Sequence, residues 1–138
     1  MKPLAFTGVL IFTVTLALPP AHSVEIEGIK FSETIRAEGK DLRLTGVGLL
    51  RYWGLRAYTG ALYLEDGIPV DEVLSDRAKR IELEYFRAIR GKDFGPATDK
   101  SIAKNVDAQT FQRLRPRIDY HNSLYEDVQP GDRYSLTY

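Results

Sequence analysis

At 138 residues the chain is long enough for one domain and too short for two. Its 19 basic and 19 acidic side chains cancel, a balance that argues against nucleic acid, which would want a basic face. No cysteine is present, so a disulfide framework, a thiolate metal site and a cysteine nucleophile are all excluded, and the fold must rest on its apolar core.

Residues 1–23 have the pattern of an export signal. Lys2 gives a positive start, residues 4–18 are uncharged, Pro19-Pro20 breaks the run, and Ala21-His22-Ser23 offers a cleavage site. The run is short for a transmembrane helix, which needs about 20 apolar residues. The alternative is an uncleaved N-terminal anchor. The expected mature protein therefore begins near Val24, lies in the periplasm or another extracytoplasmic space, and has no integral membrane span. With the signal removed, His121 is the remaining histidine, which excludes a histidine-rich metal site. Nothing in the sequence calls for a cofactor.

Residues 24–31 alternate weakly and predict a first strand. Residues 41–47 are clearer, with Leu42 and Leu44 on one side and Asp41, Arg43 and Thr45 on the other. Glu38-Gly39-Lys40 is a hairpin turn leading into them. Residues 56–65 predict a third strand, ended by Asp66-Gly67, and Pro69 suits the first turn of a short helix over 70–75. Residues 79–87 alternate best: Ile81, Leu83 and Tyr85 share a face opposite Glu82 and Glu84.

From Gly91 the pattern becomes helical, with Ile102, Ala103 and Val106 in one stripe. Asp107 can cap a turn running to Leu114, and Pro116 is placed in the first turn of a further helix ending near Tyr125. Pro130-Gly131-Asp132 is a turn, and Tyr134, Leu136 and Tyr138 alternate into a last strand. A strand that ends on Leu-Thr-Tyr without turn or cap predicts a hairpin partner beyond Tyr138. Strands first, helices later and a closing strand give an α+β domain, an antiparallel sheet with helices on one face.

The most informative stretch is TGVGLLRYWGLRAYTGALYLED, residues 45–66. Gly46 and Gly48 mark a bend or a close approach of the backbone. Arg51 follows in an apolar run, where a guanidinium needs an anionic or π partner. It can hold a ligand, or stack on Tyr52 or Trp53 with its head in water. Tyr58 can line a site or fill the core; Tyr63 reads as core, and His121 as a packed residue on a helix stripe.

These residues resemble the chalcone isomerase-like superfamily in the block GVGLLRYWGLRAYTGALYLED, and its exported bacterial branch in RIDYHNSLYEDVQPGDRYSLTY. The resemblance covers residues 24–138 and implies an open-faced β-sandwich, a large antiparallel sheet covered by helices. It also implies a further hairpin and helix beyond Tyr138. In the plant enzymes of that superfamily, which cyclise chalcones, an arginine after the glycine pair holds the phenolate and enolate; its match here is Arg51. A hydroxyl residue on the next strand maps to Tyr58, or to Thr59 with a one-residue shift. The helix tyrosine of the enzymes falls near Thr98, and their helix asparagine can match Asn105, which otherwise only caps its helix.

Related plastid members bind fatty acids without chemistry. The first expectation is thus an exported, non-catalytic binder of a fatty acid or similar amphiphilic carboxylate, its head held by Arg51 and Tyr58. The alternatives are an isomerase or intramolecular lyase acting on a chalcone-like enone, and a cell-envelope accessory protein without a small ligand.

Overall fold

The computed structural model describes residues 22–138. Nearly all of the expected export signal lies outside the described residues.

Three two-residue turns, each a non-glycine followed by glycine, organise the first half of the chain. Glu27-Gly28, Glu38-Gly39 and Trp53-Gly54 hold both residues at positive φ: 52° and 85°, 48° and 76°, 53° and 76°. That pairing gives a turn the twist of a tight antiparallel hairpin. The turns join β1 (Ser23–Ile26) to β2 (Ile29–Ser32), β3 (Thr34–Ala37) to β4 (Lys40–Tyr52), and β4 to β5 (Leu55–Glu65).

Two expectations are corrected here. The single strand over residues 24–31 is a hairpin, because the chain reverses at Glu27-Gly28 and pairs Val24 with Phe31. The strand expected to end at Val47 runs on to Tyr52. A bulge at Thr45 absorbs the bend, so that Leu44 opposes Tyr63 and Gly46 opposes Leu62. Gly46 and Gly48 approach nothing closely; a Cβ on either would meet no atom within 4 Å.

After β5 the helix expected over 70–75 is a single 3₁₀ turn, Val70–Glu72, with Val73 N–H bonded to Val70 O and Ser75 N–H to Glu72 O. β6 (Lys79–Tyr85) and β7 (Arg133–Thr137) complete a five-stranded antiparallel sheet in the order β3-β4-β5-β6-β7.

The β1–β2 hairpin covers one face of that sheet. Phe31 is buried there with Ala37, Leu42, Ala61 and Tyr63. Arg133 clamps this layer. Its guanidinium lies 4.9 Å from the Phe31 ring centre, donates to Lys30 O at 3.0 Å and pairs with the buried Glu84 at 2.5 Å. Glu82 is a further partner at 3.7 Å.

Two helices cover one end of the opposite face: α1 (Gly91–Asn105) and α2 (Ala108–Ser123). Their seam with the sheet is aromatic: Phe94 stacks on Tyr125 at 4.7 Å, and Tyr85 and Tyr134 meet Phe94 edge-on at 5.7 and 5.6 Å. Gly91 starts α1 where only glycine fits, since a Cβ would lie 2.7 Å from Tyr125 O. Asp107 caps α2 as expected, accepting from Thr110 N–H at 2.8 Å.

The break expected before Pro116 does not occur; α2 runs through it. Proline forfeits one backbone hydrogen bond, which can kink a helix without ending it. Neighbours on either side hold the helix in place. Arg115 bridges Asp99 of α1 at 2.7 Å and Asp119 at 2.5 Å, and Ile118 is buried.

Removing the clamp should show in the stability of the whole domain. Arg133→Ala leaves the nearly buried Glu84 without its partner, a change expected to cost about 1–3 kcal/mol in denaturant unfolding. Arg133→Ala combined with Glu84→Gln should recover part of that loss. An unchanged midpoint for Arg133→Ala would show that the hairpin layer is held by the apolar contacts of Phe31, Ile26 and Ile29.

Candidate functional site: a half-open cleft beneath the β4–β5 hairpin

Alternation along β5 sorts its side chains onto two faces. Thr59, Ala61 and Tyr63 point into the layer under the β1–β2 hairpin, while Tyr58 points to the helical side and meets Tyr85 edge-on at 5.7 Å. Near the β4–β5 turn this order is broken. Leu50 opposes Tyr58 but Arg51 opposes Arg56, which leaves Ala57 as the extra residue of a second bulge. The bulge swings Arg56 to the side of Arg51. Both guanidinium groups donate to the Glu27 carboxylate at the tip of the β1–β2 hairpin, each at 3.3 Å. Arg56 also lies 4.5 Å from the Phe86 ring centre.

On the helical side a cleft of about 540 Å³ opens. The β4–β5 hairpin contributes Leu50, Tyr52, Trp53, Leu55, Ala57 and Tyr58; the segment from the end of β6 contributes Tyr85, Arg87, Ala88 and Ile89; α1 contributes Asp93, Phe94 and Ala97. The volume lies within the range of small-molecule sites, and the lining is apolar with a few polar groups. Those polar groups differ in freedom. Asp93 is held by Arg90 at 2.9 and 3.3 Å. Burial, and then the neighbouring Tyr125, Tyr58 and Tyr134, push the Tyr85 phenol well above its ordinary value of 10. It is therefore a neutral hydrogen-bond group and no base. No hydrogen bond or ion pair among the described residues engages Arg87.

The residues expected to form the site are dispersed. Tyr58 lines the cleft. Arg51 does not; it sits with Glu27 on the other side of the hairpin. Thr59 is completely buried on the hairpin face, its Oγ1 without a hydrogen-bond partner among the described residues. Thr98 turns toward α2, its Oγ1 3.3 Å from the Tyr125 hydroxyl, which also lies 3.0 Å from His121 Nε2. Asn105 ends α1 and donates to Ser101 O at 2.8 Å. The cleft's cation is Arg87, two residues beyond the end of β6, and its α1 wall is Phe94 and Ala97. Sequence reasoning passed over them because Arg87 read as the tail of an alternating strand. Among the described residues there is no group of three or more His, Asp or Glu side chains placed to hold a metal ion. No helix there is long and apolar enough to cross a membrane.

A curled antiparallel sheet with two helices over one face, and a cleft between them, defines an α+β open-faced β-sandwich. The sequence model of the chalcone isomerase-like family matches residues 23–138, and the chain belongs to that family. No curated protein matches the chain.

The position of Thr59 yields a direct check. A buried hydroxyl without a partner costs stability, so Thr59→Val should leave the fold intact and raise its unfolding free energy by about 1 kcal/mol. A marked loss of stability would show that Oγ1 is satisfied in solution.

Proposed function

We propose that this chalcone isomerase-like protein binds an amphiphilic carboxylate, a fatty acid being the simplest case, without transforming it. The observation that carries the reading is an apolar cleft whose rim bears an arginine without a partner among the described residues. The tail would lie against Leu50, Tyr58, Tyr85, Phe94 and Ala97, with the carboxylate at Arg87 and the Tyr58 hydroxyl within the same cleft. Arg51 is the less suited cation, since a ligand there must displace Glu27 and exchange one charge pair for another. What α1 brings to the cleft speaks for binding over chemistry. That helix presents Phe94, Ala97 and Asp93, the last held by Arg90, and turns the Thr98 hydroxyl away. The pattern of residues 1–23 extends the proposal to location, outside the cytoplasm.

A fluorescent fatty-acid displacement assay tests this. A charge-assisted hydrogen bond contributes about 1.5–3 kcal/mol, so Arg87→Ala should weaken binding by a factor of at least about ten. Arg51→Ala should change it little. Binding lost in Arg51→Ala and kept in Arg87→Ala would move the head group to the Glu27 side. Chalcone turnover by the unaltered protein well above the uncatalysed rate would replace the reading with an isomerase.

A further inference from the structure

The β4–β5 hairpin ends in apolar groups that stand exposed among the described residues. Trp53 is 86% exposed, Tyr52 70% and Leu55 54%. The placement of Trp53 is itself unusual. The first position of this turn has φ 53°, a conformation that asparagine or glycine adopts far more readily than a bulky side chain. The strained choice sets an indole outermost on the hairpin.

The surrounding charge is equally one-sided. Arg51, Arg56 and Arg87 flank the tip with one carboxylate among them, Glu27, and Asp93 is already paired with Arg90. The tip is thus locally cationic on a chain whose overall charge is zero. An indole and a phenol at the end, with arginines set back from them, is the chemistry of a membrane–water boundary. Aromatic rings settle at head-group depth and guanidinium groups meet anionic head groups.

We propose that the tip of the β4–β5 hairpin docks on an anionic lipid surface. Tyr52, Trp53 and Leu55 enter the interfacial layer, and Arg51 and Arg56, two cations that share the single Glu27 carboxylate, face the head groups with a net positive charge and without releasing Glu27. The cleft shares three of these residues, so its mouth opens at the docked surface. An amphiphile could then pass between bilayer and cleft without crossing water. Docking itself does not require that the cleft hold a ligand.

Trp53 is the chain's only tryptophan, so its emission reports this site and no other, whatever residues 1–21 do at a membrane. The full chain is mixed with vesicles of phosphatidylcholine containing brominated acyl chains, with and without phosphatidylglycerol. Trp53 should shift to the blue and be quenched on the anionic vesicles, less so in 1 M salt, where screening reaches about 3 Å. Arg51→Gln with Arg56→Gln should reduce lipid partitioning about thirtyfold, from about fivefold for each cation near an anionic surface. No quenching, equal quenching on neutral vesicles, or an unaffected double variant would overturn the proposal, and would leave a protein partner as the occupant of the tip.

Two further variants keep the outcome readable. Ala97→Phe, which narrows the cleft, should abolish fatty-acid displacement and leave Trp53 quenching intact, so that failure of docking and failure of cleft binding are distinguishable. Trp53→Asn should raise the melting temperature by relieving the turn. A fall would show that the indole is there to support the fold, and would count against the proposal.

Discussion

The two-sidedness of β5 is the constraint on which the rest of this structure depends. It is the middle strand of five, and each residue it contributes to one layer is withheld from the other. Thr59, Ala61 and Tyr63 build the floor beneath Phe31, while Tyr58 and its partner Tyr85 build the wall of the cleft. A one-residue slip would exchange the two sets and put buried apolar groups into the cleft. The bulge at Ala57 is the single place where the alternation is broken to another purpose. It sets Arg56 beside Arg51 and gives both to Glu27.

That local break decides the electrostatics of the site. Had the alternation continued unbroken, Arg56 would share a face with Tyr58 and the cleft would carry a second cation. The cation left in the cleft is Arg87, on the irregular segment between β6 and α1. A guanidinium at the rim of an apolar hollow keeps much of its hydration while its stem lies along the wall, so the arrangement has little desolvation cost until a carboxylate arrives. The hairpin face handles charge in the opposite manner. Glu82 and Glu84 lie in a covered layer and are matched by Arg80 and Arg133.

Much of the fold was legible in the residues, because its signals are local. The alternation of Ile81, Leu83 and Tyr85, the cap at Asp107 and the turn at Glu38-Gly39 each depend on a few neighbours in the chain. What could not be read depends on contacts between distant segments. Glu27-Gly28 looks like the interior of a weak strand until Phe31 has a sheet to cover, and Pro116 looks like a stop until Asp99 grips Arg115. The site was less legible for the same reason. Tyr58 lines the cleft by its strand parity, but the separation of Arg51 from it is the work of a bulge, and bulges leave almost no trace in composition. Trp53-Gly54 had the form of a hairpin turn, a residue followed by glycine between two apolar runs, and it was hidden by the apolar character of the stretch that contains it.

Arg133 joins two segments separated by 103 residues when it reaches back to Lys30 O. This has a bearing on the order in which the molecule assembles. The β1–β2 hairpin closes over a few neighbouring residues, but its clamp belongs to β7, far further along the chain. Until β7 pairs with β6, Phe31 has lost its cationic cap and Glu84 its counter-ion, so the N-terminal layer can be present without being fastened. Closing so long a loop is slow relative to hairpin formation. A hairpin that closes locally is therefore fastened only from a distance, and in the interval between the two the floor of the sheet is open to other chains.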